Sequence, residues 1–230
     1  MIKNYKIEKK LGEGQYGIVY KVKKENDNNY YVLKQISLVG LSGAEKNEVK
    51  IEAELLSKIN SKYVVKYYES FTYNNKLNII MEYCENGDLS EYLEKLKKNR
   101  KKLDENEIYK IFIKILIGLA DIHKVKIIHR DLKSLNVFLT KNNDIRIGDF
   151  GIAKLLDKAL YAKTFIGTYY YLSPEICKDI PYNYRSDVWA LGCILYELCT
   201  YEYPFNGKTG PSIILNIING TPKEIGNYSL

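Results

Sequence analysis

A chain of 230 residues, 46% hydrophobic and 27% charged, is too apolar to stay disordered and long enough for one large domain or two lobes. No apolar run reaches the length of a membrane span, and residues 1–6 carry no signal-peptide core, so no membrane span is expected. The net charge of +7 rests almost wholly on scattered lysines, with arginine only at 100, 130, 146 and 185, so no nucleic-acid partner is expected. The dense block Lys95–Lys102 falls in a helical pattern and reads as a solvated face. The cysteines at 84, 177, 193 and 199 show no C-x-x-C spacing and read as reduced, intracellular thiols.

In chain order, residues 5–11 are strand-like and run into Gly12-Glu13-Gly14-Gln15-Tyr16-Gly17-Ile18-Val19-Tyr20. A G-x-G-x-x-G string can be a plain turn or a dinucleotide fingerprint. The latter opens a helix, whereas Ile18–Val22 is β-branched, so the segment is a hairpin with a glycine-rich tip. Such a tip brings backbone N–H groups close to phosphate oxygens, with Tyr16 as a shield. Tyr30–Lys34 is a strand in which Lys34 interrupts an apolar run, either as a surface lysine at a strand end or as a functional one. Ala44–Ile59 reads as a helix, with Glu52 at the edge of its apolar stripe, where a bare carboxylate is costly unless paired. Lys34 is the nearest candidate partner. Tyr63–Phe71 and Lys76–Met81 form two strands joined by a turn at Tyr73-Asn74-Asn75, and the polar stretch Glu82–Asp88 suits a hinge. Beyond it the periodicity turns helical, first with Leu89, Tyr92, Leu93 and Leu96, then with Ile108, Ile111, Phe112, Ile115, Leu119 and Ile122.

The octet His129-Arg130-Asp131-Leu132-Lys133-Ser134-Leu135-Asn136 lies between apolar strand-like runs. Its polar side chains are expensive to bury, so chemistry is the better reason for them. A carboxylate to take a proton, an ammonium to hold phosphate and an amide to ligate a hard cation stand within six residues. Asp144–Gly151 follows as a strand ending in Asp149-Phe150-Gly151, then come Ser173-Pro174-Glu175 and the buried-looking helix Ser186–Gly192.

This ordered set of glycine loop, strand Lys, helix Glu, H-R-D-x-K-x-x-N, D-F-G and x-P-E resembles the eukaryotic protein kinases over essentially the whole chain. Three stretches, His129–Thr140, Ile166–Glu175 and Met81–Leu89, resemble the NIMA-related kinases. The resemblance implies an α+β, bilobal fold, with a β-rich N-lobe and hinge over 1–84 and a mainly helical C-lobe over 85–230. It implies a protein serine/threonine kinase, with ATP and Mg2+ as cofactors and protein substrates carrying Ser/Thr acceptors. Asp131 would accept the acceptor's proton, Lys133 would steady the phosphoryl group and Thr168 would bond to that pair. Asn136 and Asp149 would hold magnesium, and Lys34 would hold the α/β-phosphates while paired to Glu52. The glycine loop from Leu11 to Val19 would cover the phosphates. Adenine would lie between Val19 and Val32 above and Phe138 below, against the backbone of Glu82 and Cys84, with Met81 behind and Asp88 reaching the ribose. Leu56, Tyr67, His129 and Phe150 would stack as an internal column, which makes His129 packing rather than a base.

Further expectations follow from the same resemblance. Thr164, with Arg130 and Lys154 as phosphate partners, is a candidate regulatory phosphosite, against the alternative of an unmodified loop Thr. Ile152 after the D-F-G points to Thr over Ser as acceptor. The location expected is cytoplasmic, with cytoskeletal or nuclear association by family analogy. The sequence departs from the family at Val32, where Ala is usual, at Ser61-Lys62-Tyr63, which loses a Pro, and at Tyr169, where Pro is common. Its C-lobe is expected to lack the last helices and the Arg that would pair with Glu175. Three readings stay open: a competent kinase, a weak or inactive fragment that binds nucleotide or a partner protein, and an incomplete gene product.

Overall fold

The computed structural model describes residues 2–14, 17–25, 27, 29–150, 169–226 and 228. Five antiparallel strands form the first half: β1 (Tyr5–Gly14), β2 (Gly17–Lys24), β3 (Tyr30–Ser37), β4 (Tyr67–Tyr73) and β5 (Lys76–Glu82), in the order β1-β2-β3-β5-β4. The register pairs Val19 with Lys34 and Val32 with Met81. Side chains alternate across a pleated sheet, so these four share one face. That face also carries Ile36 and Ile79, buried with Val49, Ala53 and Leu56 of the helix α1 (Gly43–Leu56). The other face has its own small core of Tyr5, Val22, Leu33 and Ile80. Burial on both sides explains why β3 and β5 read as near-continuous apolar runs. The β4–β5 turn is made by Asn74 and Asn75 at φ 48° and 54°, the left-handed pair a two-residue hairpin needs.

Two boundaries differ from the sequence reading. α1 ends at Leu56 rather than at Ile59, because the Ser57 hydroxyl and the N–H groups of residues 57–59 bond back onto the carbonyls of residues 54–56. The strand expected over 63–71 is divided. Residues 67–73 join the large sheet, while the Val65 N–H donates to the Ile147 carbonyl and the Ile147 N–H to the Tyr63 carbonyl, both at 2.8 Å. That second pairing lies against a hairpin of β6 (Val137–Leu139) and β7 (Ile145–Ile147) in the other half of the chain.

The second half is helical: α2 (Leu89–Lys98), α3 (Glu105–Lys124), α4 (Pro174–Cys177), α5 (Tyr184–Thr200) and α6 (Gly210–Asn219). The starts are locally encoded, by Asp88 as N-cap of α2 and by capping boxes Asp104/Glu107 on α3 and Asn183/Ser186 on α5. α6 starts at Gly210, two residues before the expected Ser212, because Thr209 caps it. α3 buries Ile108, Ile115, Leu119 and Ile122, and α5 buries Ala190, Leu191, Ile194 and Leu198 while exposing a stripe at Tyr184, Val188 and Gly192. Among the described residues, no helix is long and apolar enough to cross a membrane.

Candidate active site

A cavity of about 970 Å³ lies between the sheet and the helical half. Its upper wall carries Leu11, Gly12, Val19, Val32 and Lys34, and its rear Met81, Glu82 and Cys84. Asp88 and Phe138 line the floor with Lys133, Asn136 and Asp149. Glu13 points to Lys10 instead, and Ile18 and Gly17 are not among the lining residues. Gln15, Tyr16, Thr164 and Thr168 lie outside the described residues, as do Ile152 and Lys154. Gly17 is explained by the sheet rather than by a ligand. At φ 154° a Cβ there would sit 1.8 Å from the Gln35 carbonyl oxygen of β3.

The octet is folded onto itself. Residues 134–136 form a 3-10 turn, and the Asn136 amide donates to the Asp131 carbonyl at 2.7 Å and to its carboxylate Oδ2 at 3.1 Å. The Lys133 ammonium lies 3.0 Å from the same Oδ2. All three side chains are largely buried, so the carboxylate is held by a cation and an amide in a site of restricted water. Across the cavity, the Lys34 ammonium forms an ion pair with Asp149, 115 residues away in sequence. Burial alone would raise the Asp149 carboxyl. The charge and hydrogen bond of Lys34, aided by Lys133, outweigh it and hold the group below the usual carboxylate range. Lys34 therefore pairs with Asp149 here. Glu52 lies on α1, but its side chain is outside the described residues, so the expected Lys34–Glu52 pair is too.

His129 is fully buried and neutral, since burial pushes its pKa down. Its Nε2–H donates to the Gly148 carbonyl at 3.0 Å, and Nδ1 accepts the Asp131 N–H at 3.3 Å. Those two bonds set the tautomer and tie the octet to the strand end that bears Asp149. The ring also packs on Phe150 with centroids 5.1 Å apart, in a core shared with Leu56 and Tyr67. Gly148 fits this junction because a Cβ would meet Val65 at 2.7 Å and the Phe138 ring at 3.0 Å.

Three supporting groups are not evident from motif reading. Asp187 on α5 is fully buried and accepts from the N–H groups of His129 and Arg130, from His123 Nε2 and from the Tyr182 hydroxyl, at 2.8–3.1 Å. Burial would raise its pKa, yet these hydrogen-bond donors pull it below the usual range. Arg130 and Asp149 adopt left-handed φ of 64° and 55°, which costs non-glycine residues roughly 1–2 kcal/mol. The bond to Asp187 helps hold the first of them. Second, Ser134 and Tyr171 both donate to the buried Glu197 of α5, at 2.9 and 2.6 Å, and burial raises that carboxyl. Third, Arg146 Nε bonds Glu82 at 3.1 and 3.2 Å, joining the end of β5 to β7.

Asp88 caps α2 by accepting the Glu91 N–H at 2.9 Å, and burial raises its carboxyl. Cys84 keeps its proton, since burial pushes the thiol up to about 12. Its backbone takes no main-chain partner among the described residues, leaving a donor and an acceptor at the cavity wall. Glu175, expected to lack its usual Arg, accepts from the Ser186 hydroxyl at 2.8 Å.

Comparison with known proteins gives a match to the protein kinase domain family over residues 5–226. The chain is 43% identical to serine/threonine-protein kinase Nek1 of Mus musculus, covering 96% of this chain and 18% of that protein. It is 42% identical to Nek5 of Homo sapiens, covering 93% of this chain and 30% of that one. Nek3 of Mus musculus is 41% identical over 94% of this chain and 42% of its own length. The chain thus spans less than half the length of these three relatives.

Proposed function

The chain belongs to the protein kinase domain family, and we propose that it transfers the γ-phosphoryl group of ATP to serine or threonine hydroxyls of protein substrates. The observation that carries this reading is the Lys34–Asp149 pair facing the Asp131–Lys133–Asn136 cluster across one cavity. Phosphoryl transfer needs little covalent assistance, so positioning and charge supply most of the rate. In this reading the adenine edge takes the backbone donor and acceptor left at Cys84, and Val19, Val32 and Phe138 sandwich the ring. Lys34 holds the α/β-phosphates. Asp131 orients the acceptor hydroxyl and takes its proton as the new O–P bond forms and the bridging P–O bond to ADP breaks. Lys133 offsets charge on the transferred group.

The donor set suits magnesium. Asn136 spends its amide N–H on Asp131, which leaves its carbonyl oxygen for a hard cation, and Asp149 adds a depressed carboxylate. Two protein oxygens are what Mg2+ takes when phosphates and waters fill its other positions, and no cluster of three ligating side chains occurs among the described residues. Bound there, Mg2+ would neutralise charge on the bridged phosphates.

Transfer of labelled phosphate from Mg-ATP to a general protein substrate, lost in Asp131→Asn, is the expected result. ATP binding without Asp131-dependent transfer would refute catalysis and favour a nucleotide-binding fragment. Phosphorylation at Thr164, met by Arg130 and Lys154, belongs to the same proposal. Activity unchanged in Thr164→Ala would remove it. A peptide pair differing only in acceptor tests the Thr preference expected from Ile152, and faster Ser phosphorylation would reject that.

A further inference from the structure

Beside the hinge end of the cavity stands a contact that the catalytic machinery does not use. The Lys21 ammonium of β2 lies 3.8 Å from the ring centroid of Tyr30 and 4.5 Å from that of Tyr83. The two rings meet edge to face, with centroids 6.4 Å apart. Tyr30 begins β3, whereas Tyr83 is the first residue after β5, between Glu82 and Cys84 at the rear of the cavity. Lys21 is paired with Val32, so both side chains are on the face that forms the cavity's upper wall. One cation therefore bridges that upper wall and the hinge.

The register also explains why the ammonium seeks the rings. Lys9 of β1 stands directly opposite Lys21, and like charges facing each other across a ladder repel. The negative ring faces of Tyr30 and Tyr83 are the nearby groups that favour a cation. With its ring held from outside, Tyr83 has its backbone, and that of Cys84 beside it, fixed relative to the wall formed by Val32.

We propose that Lys21, Tyr30 and Tyr83 form a cation–π clamp that pre-sets the hinge for nucleotide, with Lys21 as a positioning residue for ATP affinity. The inference rests on the kinase reading for the identity of the ligand. It requires that Lys21 act through Tyr83, without touching the nucleotide.

The test is Mg-ATP affinity by calorimetry on the full chain, with kcat at saturating ATP measured alongside. Lys21→Met keeps the length and removes the charge. It should weaken ATP binding by about three- to tenfold, the equivalent of one or two exposed cation–π contacts. The nucleotide-free Tm should fall by only about 2–4 °C and kcat stay within about twofold, while Lys21→Arg should restore affinity, since guanidinium also sits well on aromatic faces. Adding Tyr83→Leu to Lys21→Met should weaken binding no further than either change alone. Wild-type affinity in Lys21→Met, or Lys21→Arg as weak as Lys21→Met, would overturn the clamp and leave the kinase reading intact. Fully additive losses in the double variant would overturn it equally. No ATP binding by the wild-type chain would overturn the kinase reading and the clamp together.

Discussion

Replacing Asp187 by alanine should damage both stability and turnover, although the residue touches no substrate. Its carboxylate is fully buried and receives four hydrogen bonds at 2.8–3.1 Å, two from backbone N–H groups of the octet. A hydrogen bond to a charged group contributes ~1.5–3 kcal/mol, and each buried donor left unmade costs ~1–3 kcal/mol. These values do not add, and water can enter the space left, so a net loss of about 3–5 kcal/mol is expected. Against a domain stability of about 5–15 kcal/mol that is a large share. Urea denaturation should show a shifted midpoint with an unchanged slope. The catalytic consequence follows from Arg130, whose left-handed φ relies on the bond to Asp187 and which directly precedes Asp131. A shift of about 1 Å at Asp131 lowers kcat by roughly 10²-fold. Asp187→Asn keeps the volume and can still accept two of the four bonds, so it should fall between wild type and Asp187→Ala in both assays. Stability within about 1 kcal/mol of wild type and unchanged kcat in these variants would refute the reasoning.

Three other outcomes are expected. Because burial lowers the pKa of native His129 from its ordinary 6.5, the unfolded chain binds more protons below that pH, so stability falls as pH drops. The decline should set in as pH falls through about 6.5; urea melts would check it, and the same slope in His129→Gln would contradict it. Gly17→Ala should cost about 2–4 kcal/mol, because its Cβ would collide with the Gln35 carbonyl. Gly12→Ala, with open space around its Cβ, should stay within about 0.5 kcal/mol, and equal thermal shifts for the two would show that the sheet does not demand Gly17. For Arg146 and Glu82, a double-mutant cycle of Arg146→Met with Glu82→Gln should give a coupling of about 1 kcal/mol, and zero coupling would mean the bridge does not join the two halves.

Much of the site is legible in the chain because the octet is local. Asp131, Lys133 and Asn136 lie within six residues, and the turn that gathers them brings Asn136 onto the carboxylate. The hairpin at Asn74-Asn75 is read from neighbouring residues for the same reason, and the capping boxes found at Ser42, Asp104 and Asn183 are equally local, though not singled out from sequence. Residues 63–65 show the limit of that approach. Val64 and Val65 have strand character, but nothing within the segment says that their partner is Ile147 rather than the large sheet. Gly17 shows it differently, since the motif suggests a phosphate cradle and the closest constraint on the residue is a carbonyl of β3. A signal for Asp187 is present in the sequence, namely a carboxylate inside an apolar helix, which is costly unless donors surround it. Its donors come from three separate segments, so their identity could not be read from the helix.

The sequence by itself determined the alternation of strand and helix and the chemical inventory of the site. Each of these depends on propensity, capping or functional groups within a few residues. Only the tertiary structure decided that Lys34 meets Asp149, that His129 is a neutral clip between Asp131 and Gly148, and that Asp187 anchors the octet. Those pairings join residues up to 115 positions apart. They exist because the packed sheet, the β6–β7 hairpin and α5 bring distant polar groups into places where a missing partner would cost more than the chain can spare.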